Sequence, residues 1–346
     1  MVLAPGPDTA EFVRVGDNAT DMVQIKFATM YFTFQKMKQA AHNYAGQELR
    51  SHLRTRNRVA ALRSKVDHSA EGMNSLEWNP NKYITRDNGI RIFYGLDGSG
   101  PPVFLLHGHT LDGSVWARAG YVADLQADYR LVIVDLRGHG RSDKPHDPEA
   151  YRGEAFATDI LSIADAEVFE RFGIWGWSQG SIVGWATAQR APERVAAFIG
   201  TGGPTPRPWT VQEWADFDRT LLEPLRAEGM VGFLKAVEAQ EPDPIEMRDL
   251  MLRADPDVVL ANFAKDLLTT DGFTPAEDFP VPVLLIVGEH EDQDGDAERI
   301  AATVPNGRSL RLPGLGHAGA FSRSDLVLPT ALDFLRETLP KPDRRS

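Results

Sequence analysis

One pentapeptide constrains the fold of this chain more than any other stretch: Gly176-Trp177-Ser178-Gln179-Gly180. An apolar run of strand character, Phe172 to Trp177, precedes it, and a run of helical character, Gln179 to Arg190, follows it. A turn this tight brings Cβ atoms into collision with neighbouring backbone, and glycine relieves the collision because it has no side chain. The pattern is typical of a sharp strand-to-helix turn that exposes a nucleophilic hydroxyl. We therefore predict that Gly176 and Gly180 shape the turn and that Ser178 is the nucleophile.

Taken alone, this motif also fits an ordinary loop rich in glycine and serine. A second glycine loop, His107-Gly108-His109-Thr110, directly follows the short apolar run Val103 to Leu106. Such a loop after a buried strand can present backbone N–H groups to a developing negative charge. We predict an oxyanion hole formed by the backbone N–H groups of His109 and Gln179, with Gly108 shaping the loop. A metal pair at His107 and His109 is disfavoured because no carboxylate or third histidine lies near in sequence, and no cofactor or metal is predicted.

A third loop, Asp135 to Asp143, follows the apolar strand Leu131 to Val134 and is also rich in glycine. Its spacing does not match Gly-x-Gly-x-x-Gly, and no Gly-Lys-Ser/Thr follows, so nucleotide binding is disfavoured. We expect a structured turn that walls the site. The run from Ala155 to Phe172 is predicted to be a crossover helix that Gly173 stops. The strand into Trp177, the helix to Arg190 and the strand Val195 to Ile199 then complete a β-α-β unit, which requires a parallel sheet.

The C-terminal part supplies candidates for the base and the acid that would assist a serine nucleophile. The apolar strand Val283 to Val287 ends in Gly288-Glu289-His290-Glu291-Asp292, and a last strand, Ser309 to Leu312, precedes His317. Serine, acid and histidine therefore occur in the chain order expected with this kind of turn. We predict that His317 is the general base and that a carboxylate holds its tautomer and stabilises its imidazolium form.

From Tyr83 to Leu339 the chain resembles the α/β-hydrolase superfamily, on the three loops quoted above taken together. The resemblance implies an α/β fold with a mostly parallel central sheet and a helical cap. Before it, the stretch from Asp21 to Lys65 lacks proline and is rich in helix formers, which predicts an N-terminal helical extension. It is most similar to the esterase, perhydrolase and carbon-carbon hydrolase branch; epoxide hydrolases and haloalkane dehalogenases carry Asp at the position of Ser178. Ser181 stands where many relatives have a further glycine. The family places its acid three residues after the strand-end glycine, which favours Glu291, but Asp is its commoner residue type, which favours Asp292; we predict Glu291 and keep Asp292 as the alternative.

The resemblance also implies the domain boundaries and the activity. Residues 1–80 form the extension, 81–204 and 280–346 the hydrolase core, and 205–279 the cap. The expected reaction is hydrolysis of a carboxylic ester, lactone or thioester through an acyl-enzyme on Ser178. A C–C bond hydrolase or perhydrolase using the same residues, or a non-catalytic ligand-binding homologue, remain alternatives. The apolar and aromatic cap composition favours an apolar or aromatic acyl group, and Trp177 is a candidate substrate contact.

Composition limits the partners. The 346 residues are 42% hydrophobic and 25% charged, with a net charge of −12 and no cysteine. This excludes disulfides and thiolate chemistry and disfavours nucleic acid as a partner. No signal peptide and no membrane-spanning run is recognisable, so a cytoplasmic location is expected. Helical spacing of apolar side chains within residues 20–65, together with a basic run there, makes homo-oligomerisation through this region a hypothesis.

Overall fold

The structure is a computed structural model that describes residues 81–202, 211–264, 279–292 and 295–339. The predicted N-terminal helices and the oligomer contact through residues 20–65 lie outside the described residues. The domain boundaries at residues 204–205 and 279–280 fall in or beside undescribed stretches and remain predictions.

Eight strands of the described residues form one mixed sheet in the order β1-β2-β4-β3-β5-β6-β7-β8. Strand β2 pairs antiparallel with β1 and with β4, and all other neighbours are parallel. The predicted mostly parallel α/β sheet is thus confirmed. The strands are β1 Asn81–Thr85, β2 Arg91–Gly98, β3 Pro102–Leu106, β4 Arg130–Val134, β5 Phe172–Trp177, β6 Val195–Thr201, β7 Val283–Gly288 and β8 Arg308–Leu312.

Among the described residues, helices cover both faces of the sheet, and four α-helices lie between β6 and β7 in the chain. We call those four helices, with residues 211–264, the cap segment. Within it α6 is kinked at Gly229, and a π-helical turn at Asp218–Leu222 joins α5 to α6. The α-helices are α1 Val115–Arg118, α2 Tyr121–Leu125, α3 Gly153–Ala166, α4 Gln179–Arg190, α5 Val211–Phe217, α6 Glu223–Glu238, α7 Arg248–Leu252, α8 Pro256–Ala264, α9 Asp296–Thr303, α10 His317–Ser322 and α11 Ser324–Thr338.

Strand β5 is the buried centre of the molecule. All six of its residues are buried, and neighbouring side chains belong to hydrophobic clusters on opposite faces of the sheet. Ile174 lies in one cluster with Phe156 of α3, and Trp175 lies in the other, edge-on to Trp116 and Tyr121. A strand packed on both faces needs apolar residues at successive positions, which explains the continuous apolar run of β5. This packing fixes the position of its carboxyl end, where Ser178 follows.

Two helix predictions were wrong at their ends. Helix α3 ends at Ala166, six residues before the predicted end, and Gly173 lies inside β5. The cause is a Schellman-type end in which Phe169 N–H donates to Ala164 O and Val168 N–H to Asp165 O. Val168 occupies the left-handed position with φ 58°, where glycine is usual. The sequence also predicts one closing helix from Phe321 to Leu339, but the structure has two, because the backbone of Arg323 is not helical (φ −91°, ψ 57°).

Within the described residues, no helix combines the length and the apolar character that crossing a bilayer would require.

Candidate active site

Ser178 sits at the tip of a strained turn. Its backbone has φ 54° and ψ −116°, a conformation that a non-glycine residue adopts only when its surroundings impose it. A Cβ on Gly176 would lie 2.2 Å from Gly180 O, and a Cβ on Gly180 would lie 2.1 Å from Leu106 O. Both glycines are therefore sterically required, for the reason inferred from the sequence.

The hydroxyl of Ser181 stabilises the same turn by hydrogen bonding to backbone carbonyls. It lies 2.9 Å from Gly176 O and 3.1 Å from Thr201 O, so it can donate to either carbonyl. Ser178 N–H donates to Thr201 O at 2.9 Å. Ser181 thus ties the first turn of α4 to the ends of β5 and β6.

His317 and Glu291 come together from loops 26 residues apart in sequence. Nδ1 of His317 lies 2.6 Å from Oε2 of Glu291, whose Oε1 accepts the N–H of Gly288 at 2.9 Å. A carboxylate at this nitrogen favours the tautomer with the proton on Nδ1, which leaves the lone pair of Nε2 available as a base. A Cβ on Gly202 would lie 3.0 Å from Nδ1 of His317, so the end of β6 supports the ring as well.

Asp292 faces a different partner. Its Oδ1 accepts the N–H of Asp296 at 2.7 Å, and its carboxylate also reaches the N–H of Ala297, at the start of α9. Burial raises the pKa of this carboxyl. The structure therefore brings Glu291, and not the alternative Asp292, to His317.

The loop after β3 packs directly against the turn that carries Ser178. A Cβ on Gly108 would lie 3.3 Å from Cβ of Ser178 and 3.3 Å from the ring of Trp177, so a larger residue would crowd the serine. Gln179 is the first residue of α4, and the first N–H groups of a helix have no intrahelical acceptor. These are the places where the sequence predicts the oxyanion donors, His109 N–H and Gln179 N–H.

His107 anchors this loop. Its Nε2 accepts the N–H of Leu136 at 3.0 Å, and its Nδ1 lies 2.8 Å from Gly108 O, to which it donates. Burial lowers its pKa, which keeps the ring neutral. Since both ring nitrogens are engaged by backbone, His107 is a structural anchor and not half of a metal pair.

The loop after β4 supports the loop after β3. Asp135 accepts the N–H of Gly113 and the N–H of Arg141, each at 2.8 Å. The ring of His139 packs edge-on against His109, with centroids 5.2 Å apart. None of residues 135–143 lines the cavity beside Ser178, and His139 packs behind the lining residue His109, so the expectation that this loop walls the site is wrong.

The side chain of His109 links the core to the cap segment. Its Nδ1 lies 3.1 Å from Oε1 of Gln179 and 3.3 Å from Nδ2 of Asn262 in α8. One nitrogen cannot donate to the first and accept from the second at once, so the tautomer of His109 decides which amide it binds. Burial lowers the pKa of His109 to about 4, so the ring is neutral at neutral pH. Asn262 is fully buried, and no sequence motif pointed to it.

A cavity of about 310 Å³ lies between the cap segment and the loops just described, a size suited to a small organic ligand. The core contributes the predicted residues Gly108, His109, Trp177, Ser178 and His317. Trp177 lines the cavity and stacks on Phe321, with ring centroids 3.9 Å apart. The cap contributes mainly apolar side chains: Phe217, Leu221, Phe233, Val237, Ile245, Met247, Met251 and Phe263.

Two carboxylates control the charge of His317. Desolvation lowers the pKa of the imidazole, but the negative charges of Glu291 and Glu241 outweigh it, so the pKa of His317 is raised above 6.5. Glu291 comes from the loop after β7 and Glu241 from the cap segment. The imidazolium that a general base becomes is therefore stabilised from two sides.

One surface cluster of the described residues has the geometry of a metal site. His146, Asp255 and Asp257 bring potential ligand atoms within 4.8 Å of one another. Asp255 already accepts the N–H groups of Asp257 and Val258, which its position before α8 accounts for.

A model of the alpha/beta hydrolase fold family matches residues 101–324. The chain belongs to this family. The prediction that it is an enzyme of the α/β-hydrolase superfamily is thereby confirmed.

Among its relatives, the pimeloyl-[acyl-carrier protein] methyl ester esterase of Pectobacterium carotovorum is 28% identical over 267 residues, 70% of this chain and 98% of that protein. Epoxide hydrolase 4 of Mus musculus is 30% identical over 127 residues, 36% of this chain and only 35% of that protein. Among solved structures, the enol-lactonase of Burkholderia xenovorans LB400 matches with a TM-score of 0.64 and 25% identity, over 74% of this chain and 100% of the other.

Proposed function

We propose that the protein is a serine hydrolase that cleaves an ester-type small molecule, a carboxylic ester, lactone or thioester, through an acyl-enzyme on Ser178. One observation carries the proposal. A serine held at a strained turn and a histidine bonded to a carboxylate through Nδ1 line the same cavity. Relatives named as a methyl ester esterase and an enol-lactonase support ester-type chemistry.

In the proposed reaction, Nε2 of His317 takes the proton of Ser178 as the hydroxyl oxygen attacks the carbonyl carbon. Negative charge then develops on the carbonyl oxygen, where the N–H groups of His109 and Gln179 would stabilise it; loss of one such donor typically costs about a hundredfold or more in rate. His317 protonates the leaving group, and water repeats the sequence to release the acid. Glu291 keeps the tautomer and stabilises the imidazolium in both halves.

The cavity supports an apolar or aromatic acyl group. Its cap side is built mainly from phenylalanine, methionine and branched aliphatic side chains, and the carboxylates that line it are Glu241 and Glu246. Apolar walls favour apolar groups in proportion to the area removed from water.

The test compares Ser178→Ala with Ser309→Ala, an exposed serine on β8. With p-nitrophenyl acetate and butyrate, we expect Ser178→Ala to lose at least about a thousandfold in kcat, because the nucleophile is absent, and Ser309→Ala to match the wild type. A fluorophosphonate should label the wild type at residue 178 only. Full activity in Ser178→Ala would overturn the proposal, and so would absence of both turnover and labelling in the wild type.

Cleavage of a diketone with no cleavage of esters would instead assign the same residues to C–C bond hydrolysis.

A further inference from the structure

The cap segment is hydrogen-bonded to the loop that carries His317, residues 313–322, and we call this contact the grip. Between α6 and α7 it contains Glu241-Pro242-Asp243-Pro244, and both carboxylates reach backbone of that loop. Oδ2 of Asp243 accepts the N–H of Gly316 at 2.6 Å, and Oε2 of Glu241 accepts the N–H of Ala318 at 3.1 Å. The two bonded residues are the immediate neighbours of His317 in sequence.

The close fit of this contact accounts for two glycines. A Cβ on Gly316 would lie 2.7 Å from the ring of Pro242, and a Cβ on Gly319 would lie 2.2 Å from Oδ2 of Asp243. On its other side, Gly316 packs against the loop that carries Glu291, since a Cβ on Gly288 would lie 2.4 Å from Gly316 O. The His317 loop is thus held between the cap segment and the loop that carries Glu291.

The gripping segment is stiff. Proline at positions 242 and 244 fixes φ at those residues and restricts Glu241 and Asp243, which precede them. The chain bends at Pro242 and Asp243, and both carboxylates face the same loop. Within the described residues, neither carboxylate forms an ion pair with lysine or arginine. Their acceptors are therefore available for backbone N–H groups, and charge-assisted bonds of this kind are among the stronger hydrogen bonds.

We propose that Glu241 and Asp243 are positioning residues that hold His317 in line with Glu291 and Ser178, so that seating of the cap and alignment of the base are one event. The inference rests on the proposed role of His317. The same segment lines the cavity through Gln240, Glu241 and Ile245, which couples what fills the cavity to the placement of the base. Glu241 has a second effect: its negative charge, like that of Glu291, raises the pKa of the imidazole of His317. Asp243 instead accepts a hydrogen bond from the adjoining backbone.

The experiment uses the full chain and two readouts. Hydrogen–deuterium exchange of residues 313–322 reports the grip itself, and steady-state kinetics with p-nitrophenyl butyrate report its effect. For Glu241→Ala and Asp243→Ala we expect faster exchange in residues 313–322 and a fall in kcat of about tenfold or more, with KM changed less than about threefold, because misplacement of a reacting group costs rate rather than binding.

Isosteric variants separate a positioning role from a merely structural one. Asp243→Asn keeps an oxygen acceptor for the Gly316 N–H and should recover most of the lost kcat. Glu241→Gln keeps the acceptor but removes the charge, so the acid limb of its pH–rate profile should move to lower pH. Glu228→Ala is the matched control, since this exposed carboxylate of α6 pairs with Lys235 and should behave as the wild type in both readouts.

Gly319→Ala tests the grip from the other side, because the added methyl group would displace the Asp243 carboxylate. We expect it to raise exchange and lower kcat as Asp243→Ala does. If Glu241→Ala and Asp243→Ala do not fold, Gly319→Ala still decides the matter through both readouts, and Glu241→Gln through its pH–rate profile. Wild-type exchange and wild-type kcat in those of Glu241→Ala, Asp243→Ala and Gly319→Ala that fold would overturn the proposal. Faster exchange together with an active Ser178→Ala would leave the grip in place and remove the serine mechanism instead.

Discussion

At the scale of single residues, the site is a set of neighbours brought together from distant parts of the chain. The order of Ser178, Glu291 and His317 could be predicted from sequence because each directly follows a recognisable strand or glycine loop. Asn262 and Asp243 could not be predicted, since each acts through one contact with a residue 153 or 73 positions away and belongs to no motif. Sequence also left Glu291 and Asp292 as alternatives, because adjacent carboxylates differ only in the direction that the folded loop gives them.

The two carboxylates should respond differently to substitution. We expect Glu291→Gln to lower kcat by about a thousandfold or more, since an amide can hold the wrong histidine tautomer and cannot stabilise the imidazolium. Asp292→Ala should leave kcat within about threefold and instead lower the free energy of unfolding by about 1 kcal/mol, as loss of a helix-capping acceptor does. Kinetics and urea unfolding of both variants provide the measurement. A larger kcat loss in Asp292→Ala than in Glu291→Gln would reverse the assignment.

The raised pKa of His317 predicts the pH dependence of the reaction. The base must be neutral to accept the serine proton, so activity is lost as pH falls through this pKa. Because Glu291 and Glu241 raise the pKa above 6.5, the acid limb of kcat/KM should have its midpoint above pH 6.5. A pH–rate profile of the wild type with p-nitrophenyl butyrate checks this. A midpoint at or below pH 6.5 would mean that desolvation outweighs the two carboxylates.

At the scale of elements, strands and the helix after the serine were predicted closely, whereas helix ends were not. The bounds of β5 and α4 follow from an uninterrupted apolar run and from the glycine turn between them. The end of α3 could not be foreseen, because the residue in its left-handed terminal position is Val168 and not the glycine that signals such an end. The break at Arg323 was missed because apolar residues continue at helical spacing on both sides of it.

The strained end of α3 should lower the free energy of unfolding of the wild type. Val168 is 83% exposed, so its side chain contributes little packing, while its left-handed backbone costs about 1 kcal/mol relative to glycine. Val168→Gly should therefore raise the free energy of unfolding by about 1 kcal/mol, as measured by urea denaturation. Val231→Gly, at an exposed position inside α6, is the matched control and should lower it, because glycine is unfavourable within a helix. A loss of stability in Val168→Gly would show that the side chain of Val168 contributes more than its left-handed backbone costs.

At the scale of the whole molecule, the cap segment does more than cover the cavity. It touches the core at both ends of the proposed chemistry: Asn262 meets His109 beside the proposed oxyanion hole, and Asp243 meets the His317 loop. The family resemblance predicted a cap from the long insertion between two strands. Its contacts were beyond prediction, since they depend on how four helices without a distinctive motif settle on the core.

The apolar cap side of the cavity should set the acyl length that the enzyme prefers. Met230 and Met251 are cap methionines of equal exposure, 7% each, but only Met251 lines the cavity. Replacement of either by alanine should destabilise the protein by about 2–5 kcal/mol, because each leaves a void in packed structure. Only Met251→Ala enlarges the space available to substrate, so across p-nitrophenyl esters from acetate to decanoate its optimum in kcat/KM should shift to longer chains. Met230→Ala should keep the wild-type optimum; an equal shift in both variants would mean that acyl length is selected by cap stability rather than by the shape of the cavity.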